Sequence, residues 1–329
     1  MISGLVDKSL QRSVLRDGLR RPGVQTHSRE DPLSLAELDM GLMTKTYRLE
    51  RRPPNPMSWE VYERTATAEW QKILGGPATT EQDIQGFLER NPAFVPGAFS
   101  FPTSGHGPIH GGVFARPALR STVTRVPDFM WLATASDIIY PVLVEIETPA
   151  KRWFTAAGQP TAAWTQARGQ LVEWKEWLGQ PSNIRGLLDA FEVPSDYRHH
   201  AIEPQFVLVF GRRAEFASRP GLRRRRALQR GPNEFHVTFD RIRPDRNASY
   251  CMTLRHGTAG IEATTVPPTI RLGPAHAHSW LHVRGREAAA RAERRMSVRR
   301  REFVARRFSY WDSWAKRPDS NFCVMNDSE

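Results

Sequence analysis

The chain is 329 residues long and carries 47 lysines and arginines against 35 aspartates and glutamates, a formal net charge of +12. Six of the basic residues are lysine and 41 are arginine; with a pI near 10.3 this points to polyanionic partners, nucleic acid before an anionic membrane, although high-GC coding also enriches arginine. No run approaches the ~18 apolar residues of a membrane span, Met1–Arg21 has no secretory apolar region, and two cysteines, Cys251 and Cys323, build neither a disulfide scaffold nor a zinc ribbon and fit a reducing cytoplasm.

Residues 1–36 are polar and charged and read as a poorly ordered segment. A strand-like piece, Leu42–Leu49, ends at Arg51-Arg52-Pro53-Pro54-Asn55-Pro56. Ser58–Leu74 reads as a helix with Trp59, Val61, Tyr62, Trp70 and Leu74 as apolar contacts, ended by Gly75-Gly76-Pro77. Thr79 or Thr80 caps a second helix, with acids in its first turn and Ile84, Phe87 and Leu88 on one face; Asn91-Pro92 stops it. Ser104–Gly112 is rich in glycine and reads as a loop.

Val126–Ala133 and Ile138–Glu147 form an expected antiparallel pair, joined by the short polar Thr134–Asp137. A helix is expected over Thr161–Leu178, stopped by Gly179-Gln180-Pro181. Gln205–Gly211 is continuously apolar, so it reads as a strand buried on both faces. Arg223-Arg224-Arg225-Arg226 falls in a short helix or loop, and Phe235–Asp240 reads as the last core strand. Beyond Pro244 the pattern weakens until Gly285–Phe308, an expected long arginine-loaded helix, followed by Tyr310-Trp311-Asp312-Ser313-Trp314 and a polar tail. The order of elements is mixed α/β, with no internal repeat.

The chemistry concentrates on the expected hairpin. Asp128 opens one strand, Glu145 and Glu147 close the next, 17 positions after Asp128 in the case of Glu145. Strand side chains alternate, so Glu145 and Glu147 share a face while Val144 and Ile146 take the other. An antiparallel partner sets Asp128 beside Glu145. Such carboxylates repel unless a cation lies between them, and Mg²⁺ or Mn²⁺, hard ions that prefer oxygen ligands, suit the position. The competing reading is a strand cap at Asp128 and solvated glutamates. No Ser or Cys nucleophile has a recognisable context, there is no Walker loop or Gly-x-Gly-x-x-Gly, and neither His106 and His110 nor His276, His278 and His282 have zinc-ligand spacing with a cysteine.

Val126-Pro127-Asp128 followed by Val144-Glu145-Ile146-Glu147-Thr148-Pro149 resembles the PD-(D/E)XK nuclease signature. With Phe87-Leu88-Glu89-Arg90-Asn91-Pro92, Phe154-Thr155 and Gly158, Gln170-Leu171-Val172-Glu173-Trp174, and Phe210-Gly211-Arg212-Arg213, the stretch Trp70–Arg243 resembles the nuclease domain of the Shedu family of anti-phage defence proteins. The resemblance implies a restriction-endonuclease-like core: a central mixed sheet flanked by helices, over residues 79–245. An N-terminal extension (37–78) packs on this core, and basic additions stand at both ends, the C-terminal one over 246–329.

It also implies a phosphodiesterase acting on DNA with Mg²⁺ or Mn²⁺. Asp128 and Glu145 would be metal ligands, with the Ile146 carbonyl as a third. Where the superfamily usually has lysine the chain has Glu147, which would manage the attacking water unless Lys151 reaches back to serve instead. Gln170, four positions before Trp174, would bond a water or a phosphate, although Trp174 with Trp177 and Leu178 also reads as core. Glu81 or Glu89 is a further candidate near the metal. Arg212, Arg213, Arg223, Arg224, Arg225, Arg226, Arg299 and Arg300 are expected phosphate contacts, and Phe303, Phe308, Tyr310 and Trp311 expected stacking groups for unpaired bases; the alternative is a solvated helix paired with Glu287, Glu293 and Glu302. DNA is the expected partner, a membrane is not, and homo-oligomerisation is left open. A DNA-binding or sensor module that no longer cuts is the alternative function, and a structural RNA-binding protein a third.

Overall fold

The computed structural model describes residues 45–76, 78–99 and 107–329. The first helix, α1 (Trp59–Gly75), begins where Ser58 Oγ accepts the Val61 N–H, and its buried residues Tyr62, Ala66, Trp70 and Leu74 recur every fourth position. Val61, expected inward, lies off that stripe and is exposed. In α2 (Glu81–Arg90) Thr80 and Asp83 form a reciprocal capping box, which satisfies backbone donors that the first turn leaves free. Ile84, Phe87 and Leu88 are fully buried, and the Phe87 ring stands 5.0 Å from that of Trp70.

Ten strands form one mixed sheet among the described residues: β1 (Gly107–Pro108), β2 (Gly112–Ala115), β3 (Phe129–Thr134), β4 (Ile138–Ile146), β5 (Ala201–Ile202), β6 (Gln205–Val209), β7 (Glu234–Val237), β8 (Met252–Gly257), β9 (Gly260–Thr265) and β10 (Val283–Arg284). The order is β10-β9-β8-β2-β3-β4-β6-β7, with β1 adding to β3 and β5 to β4. β3 and β4 are antiparallel, as the short polar connection predicts, and β6 and β7 run parallel to β4.

Side-chain alternation along β4 feeds two separate cores. Leu143 packs in the cluster that holds Trp164 and Leu171 of α3 (Ala162–Leu178); Val142 and Val144 pack with Trp70 and Phe87 on the other face. Burial of each such side chain contributes roughly 1.5–3 kcal/mol, and helices on both faces explain the apolar runs 141–144 of β4 and 206–209 of β6. The fold is thus mixed α/β, a sheet flanked by helices, as expected.

Several elements differ from the expectation. Residues 45–49 form no strand; this piece is tied down by individual bonds, such as Tyr47 Oη to Asp327 Oδ2 at 2.6 Å. The expected 1–36 segment, residues 42–44 and His106 lie outside the described residues. Gly112–Ala115, expected to begin in a loop, is a fully buried strand between β3 and β8. Pro181 does not merely end α3: it opens α4 (Pro181–Ala190) as a first-turn proline, which needs no N–H there. The four-arginine run lies on α5 (Pro220–Leu228).

β7 is an edge of the sheet but not its last strand, because β8 and β9 extend the other side through an antiparallel pair. After α6 (Pro274–Trp280), the expected single helix is two, α7 (Arg286–Ala292) and α8 (Val298–Ala315). Ser297 Oγ caps α8 through the Arg300 N–H, and the break lets Arg295 reach Asn91 Oδ1 at 2.7 Å. Tyr310–Trp314, expected beyond the end of the helix, belongs to α8. No helix among the described residues is long and apolar enough to cross a membrane.

Candidate active site

The register of the hairpin sets the site. Phe129 pairs with Val144 and Met130 with Leu143, so one step further Asp128 stands opposite Glu145 at the end of the ladder. There the Ile146 N–H donates to Asp128 Oδ2 at 2.8 Å, and the Arg116 N–H donates to the Asp128 carbonyl at 2.8 Å. Arg116 is held in a left-handed conformation at φ 49°, an unusual state for a residue with a side chain. The parallel ladder continues across β4, with the Glu147 N–H donating to Val209 O at 3.0 Å. Glu145 and Glu147 are both buried, unlike solvated strand ends.

Burial drives the electrostatics. It raises the Asp128 carboxyl well above its ordinary range, with Glu81 and Glu147 pushing the same way; the Ile146 N–H and the Arg116 charge oppose it. Glu145 is raised by burial first, then by Asp128, Glu147 and Glu81, while a hydrogen bond with the Gln170 side chain acts against the shift. Neither Asp128 nor Glu145 has an ion-pair partner among the described residues. Glu147 differs, because Lys151 Nζ, four residues on, bonds its Oε2.

The expected residues therefore separate. Asp128, Glu145, Glu147, Lys151 and Gln170 come together, and Glu81, at the start of α2, joins them electrostatically. Glu89 does not: it accepts from Gln85 Nε2 at 2.9 Å and pairs with Arg255 at 3.1 Å. Trp174 is 3% exposed and belongs to the core beside Trp164 and Leu171. Of the two acids offered by α2, Glu81 is therefore the one near the cluster; Arg116, which follows β2, escapes the sequence reading because nothing in its local sequence marks it.

Among the described residues no group of three or more His, Cys, Asp or Glu side chains is placed to hold a metal ion. What the end of β4 offers is two adjacent carboxylates with no ion-pair partner among the described residues, Arg116 acting on Asp128 only through its charge. A magnesium ion is typically held by one or two carboxylates while keeping several waters. Asp128, Glu145 and the Ile146 carbonyl fit that donor set, with water or substrate oxygens completing it.

The arginines divide just as sharply. Arg212 is a strut, bonded through Nε to Asp240 Oδ1 at 2.9 Å and through Nη1 to Leu74 O at 2.8 Å. Arg225 bonds the Gly158 carbonyl, and Arg226 lies 4.4 Å over the Trp153 ring. Arg213, Arg223, Arg224 and Arg299 are exposed. Arg300, expected on phosphate, is 1% exposed and pairs with Glu329 at 2.9 Å while donating to the carbonyls of Pro54 and Ile270. It is a structural residue, not a nucleic-acid contact. Phe303, Phe308 and Trp311 are likewise core, not stacking platforms.

A family model described as Shedu protein SduA, C-terminal, matches residues 78–242. No curated protein matches the chain. The matched stretch runs from the turn before α2 to just beyond β7 and contains the whole carboxylate cluster. Since it covers half of the sequence, the chain belongs to the Shedu family of anti-phage defence proteins.

Proposed function

We propose that this protein is a DNA nuclease dependent on Mg²⁺ or Mn²⁺, with its reacting centre at the junction of β3 and β4. One observation carries the reading: Asp128 faces Glu145 across the end of the hairpin, its Oδ2 fixed by the Ile146 N–H, and neither carboxylate has an ion-pair partner among the described residues. A divalent ion bound there would supply a water of lowered pKa and a counter-charge for the negative charge developing on the phosphodiester. Asp128, held by the Ile146 N–H, and Glu145 would hold that ion. Glu147 Oε1, left free by the Lys151 contact at Oε2, takes the proton of the attacking water. Lys151 keeps Glu147 oriented and sets an ammonium beside the reacting phosphate. Gln170 holds Glu145 in place through its side-chain amide.

A second reading, a DNA-binding sensor that does not cut, draws support from one feature: the usual lysine position is Glu147, and Lys151 is engaged by that glutamate. Cleavage of supercoiled and linear DNA with Mg²⁺ separates the two. Asp128→Asn and Glu145→Gln are each expected to lower the rate about 10²–10³-fold, the range for loss of one group that stabilises transition-state charge. Equal cleavage by wild type and Asp128→Asn would remove Asp128 from the reaction. Salt-sensitive DNA binding by a wild type that never cuts would favour the sensor.

A further inference from the structure

Beyond β7, at the edge of the sheet, lies a cavity of about 460 Å³ whose wall carries five arginines: Arg213, Arg223, Arg226, Arg230 and Arg241. Arg213, Arg223, Arg230 and Arg241 are exposed at its rim, and Arg226 is half-buried over Trp153 and Phe216. The nearby acids are spent elsewhere. Glu215 accepts the N–H groups of Trp153 and Phe154 at 3.0 and 2.9 Å. Glu234 is held by Lys175 and by the Gly231 N–H, and Asp240 by Arg212 and the Arg213 N–H. The guanidinium groups of Arg213, Arg223 and Arg241 have no carboxylate or carbonyl partner among the described residues.

A second feature points into the same cavity. Thr238, which lines it, is 1% exposed, and its hydroxyl has no hydrogen-bond partner among the described residues; neither has Nδ1 of the buried His236 beside it. A buried hydroxyl without a partner is costly unless a ligand meets it. We propose that this cavity is a phosphate-binding pocket, in which the Thr238 hydroxyl and the arginine guanidiniums together grip a phosphate group. The crowding of like charge supports it: burial, then Arg241 and Arg230, lower the Arg226 pKa to about 10. An anion relieves that repulsion.

The pocket lies on the row of the acidic site. One step past the paired Ile146, Val209 and Val237 come Glu147, Phe210 and Thr238. Two strand spacings, about 10 Å, separate Glu147 from Thr238. A phosphate held here is therefore either part of the strand entering the carboxylate cluster, an assignment that rests on the proposed function, or a free phosphate ligand.

Binding by the full chain in EDTA, where nothing is cut, tests the pocket independently of cleavage. Inorganic pyrophosphate is expected to bind the wild type in calorimetry and to raise its Tm. Arg213→Gln with Arg241→Gln is expected to weaken it at least tenfold, in line with loss of charge-assisted bonds, and Thr238→Val to weaken it without lowering the Tm of the free protein. Displacement of a fluorescein-labelled single-stranded oligonucleotide by pyrophosphate marks the strand as the source; binding without displacement marks a free phosphate. Either result supports the pocket. No pyrophosphate binding, or equal affinity in the double arginine variant, overturns it and leaves the carboxylate site untouched.

Discussion

Because burial and neighbouring acids raise Asp128 and Glu145, the folded chain holds protons there that the unfolded chain releases first. Stability of the metal-free protein therefore falls as pH rises above the ordinary carboxylate range. Glu145→Gln is expected to raise the unfolding free energy by roughly 1–3 kcal/mol on the alkaline side and to change it little under acidic conditions, read by urea melts in EDTA. A loss of stability at alkaline pH would mean that Glu145 is ionised and well solvated in the fold. Both residues were legible in the sequence, because a short polar connection fixes a hairpin's register and the register pairs 128 with 145. Arg116 was not, and Glu81 stood there only beside Glu89, with nothing to choose between the two. Their approach depends on how α2 and the end of β2 pack on the sheet, which no local spacing encodes. Trp174 shows the opposite limit, since four-residue spacing from Gln170 puts both on one helix side without saying which of them meets the core.

Among the elements, hydrophobic pattern and capping chemistry found α1, α2, α3, β3, β4 and β6, where alternation, apolar runs and the Thr80 and Gly179 signals agree. They failed for β2, too short and glycine-flanked to stand out, and for β8 and β9, whose polar outward residues blur the alternation. The arginine-loaded stretch failed for another reason: charge does not reveal where Ser297 restarts the helix. The split has a consequence. Arg300 is buried with Glu329 on α8, while Arg299 beside it is exposed. Arg300→Ala leaves a buried carboxylate uncompensated and is expected to cost about 3–5 kcal/mol, whereas Arg299→Ala is expected to stay within about 0.5 kcal/mol. Chemical denaturation of the two variants checks this, and equal effects would contradict the assignment of Arg300 to the core.

On the scale of the whole molecule, a net charge of +12 overstates the surface available to DNA, because Arg286, Arg300 and Arg307 are consumed in buried ion pairs and carbonyl contacts. Among the described residues, exposed arginines on α5 and around the edge of β7 put free positive charge beside the sheet end that carries the carboxylates. If duplex DNA lies there, Arg223→Gln with Arg224→Gln should reduce the slope of log K against log salt by about 2, one unit for each phosphate no longer neutralised; fluorescence anisotropy over a salt series reads it, and an unchanged slope would exclude α5 from the footprint. Everything proposed for catalysis depends on whether the end of the β3–β4 hairpin takes up a divalent cation. Titration of Mn²⁺ into the protein, followed by electron paramagnetic resonance, addresses that without any substrate. One ion is expected to bind the wild type and to be lost with Asp128→Asn and Glu145→Gln together; uptake that is the same in both proteins, or absent from the wild type, would show that these carboxylates hold no metal.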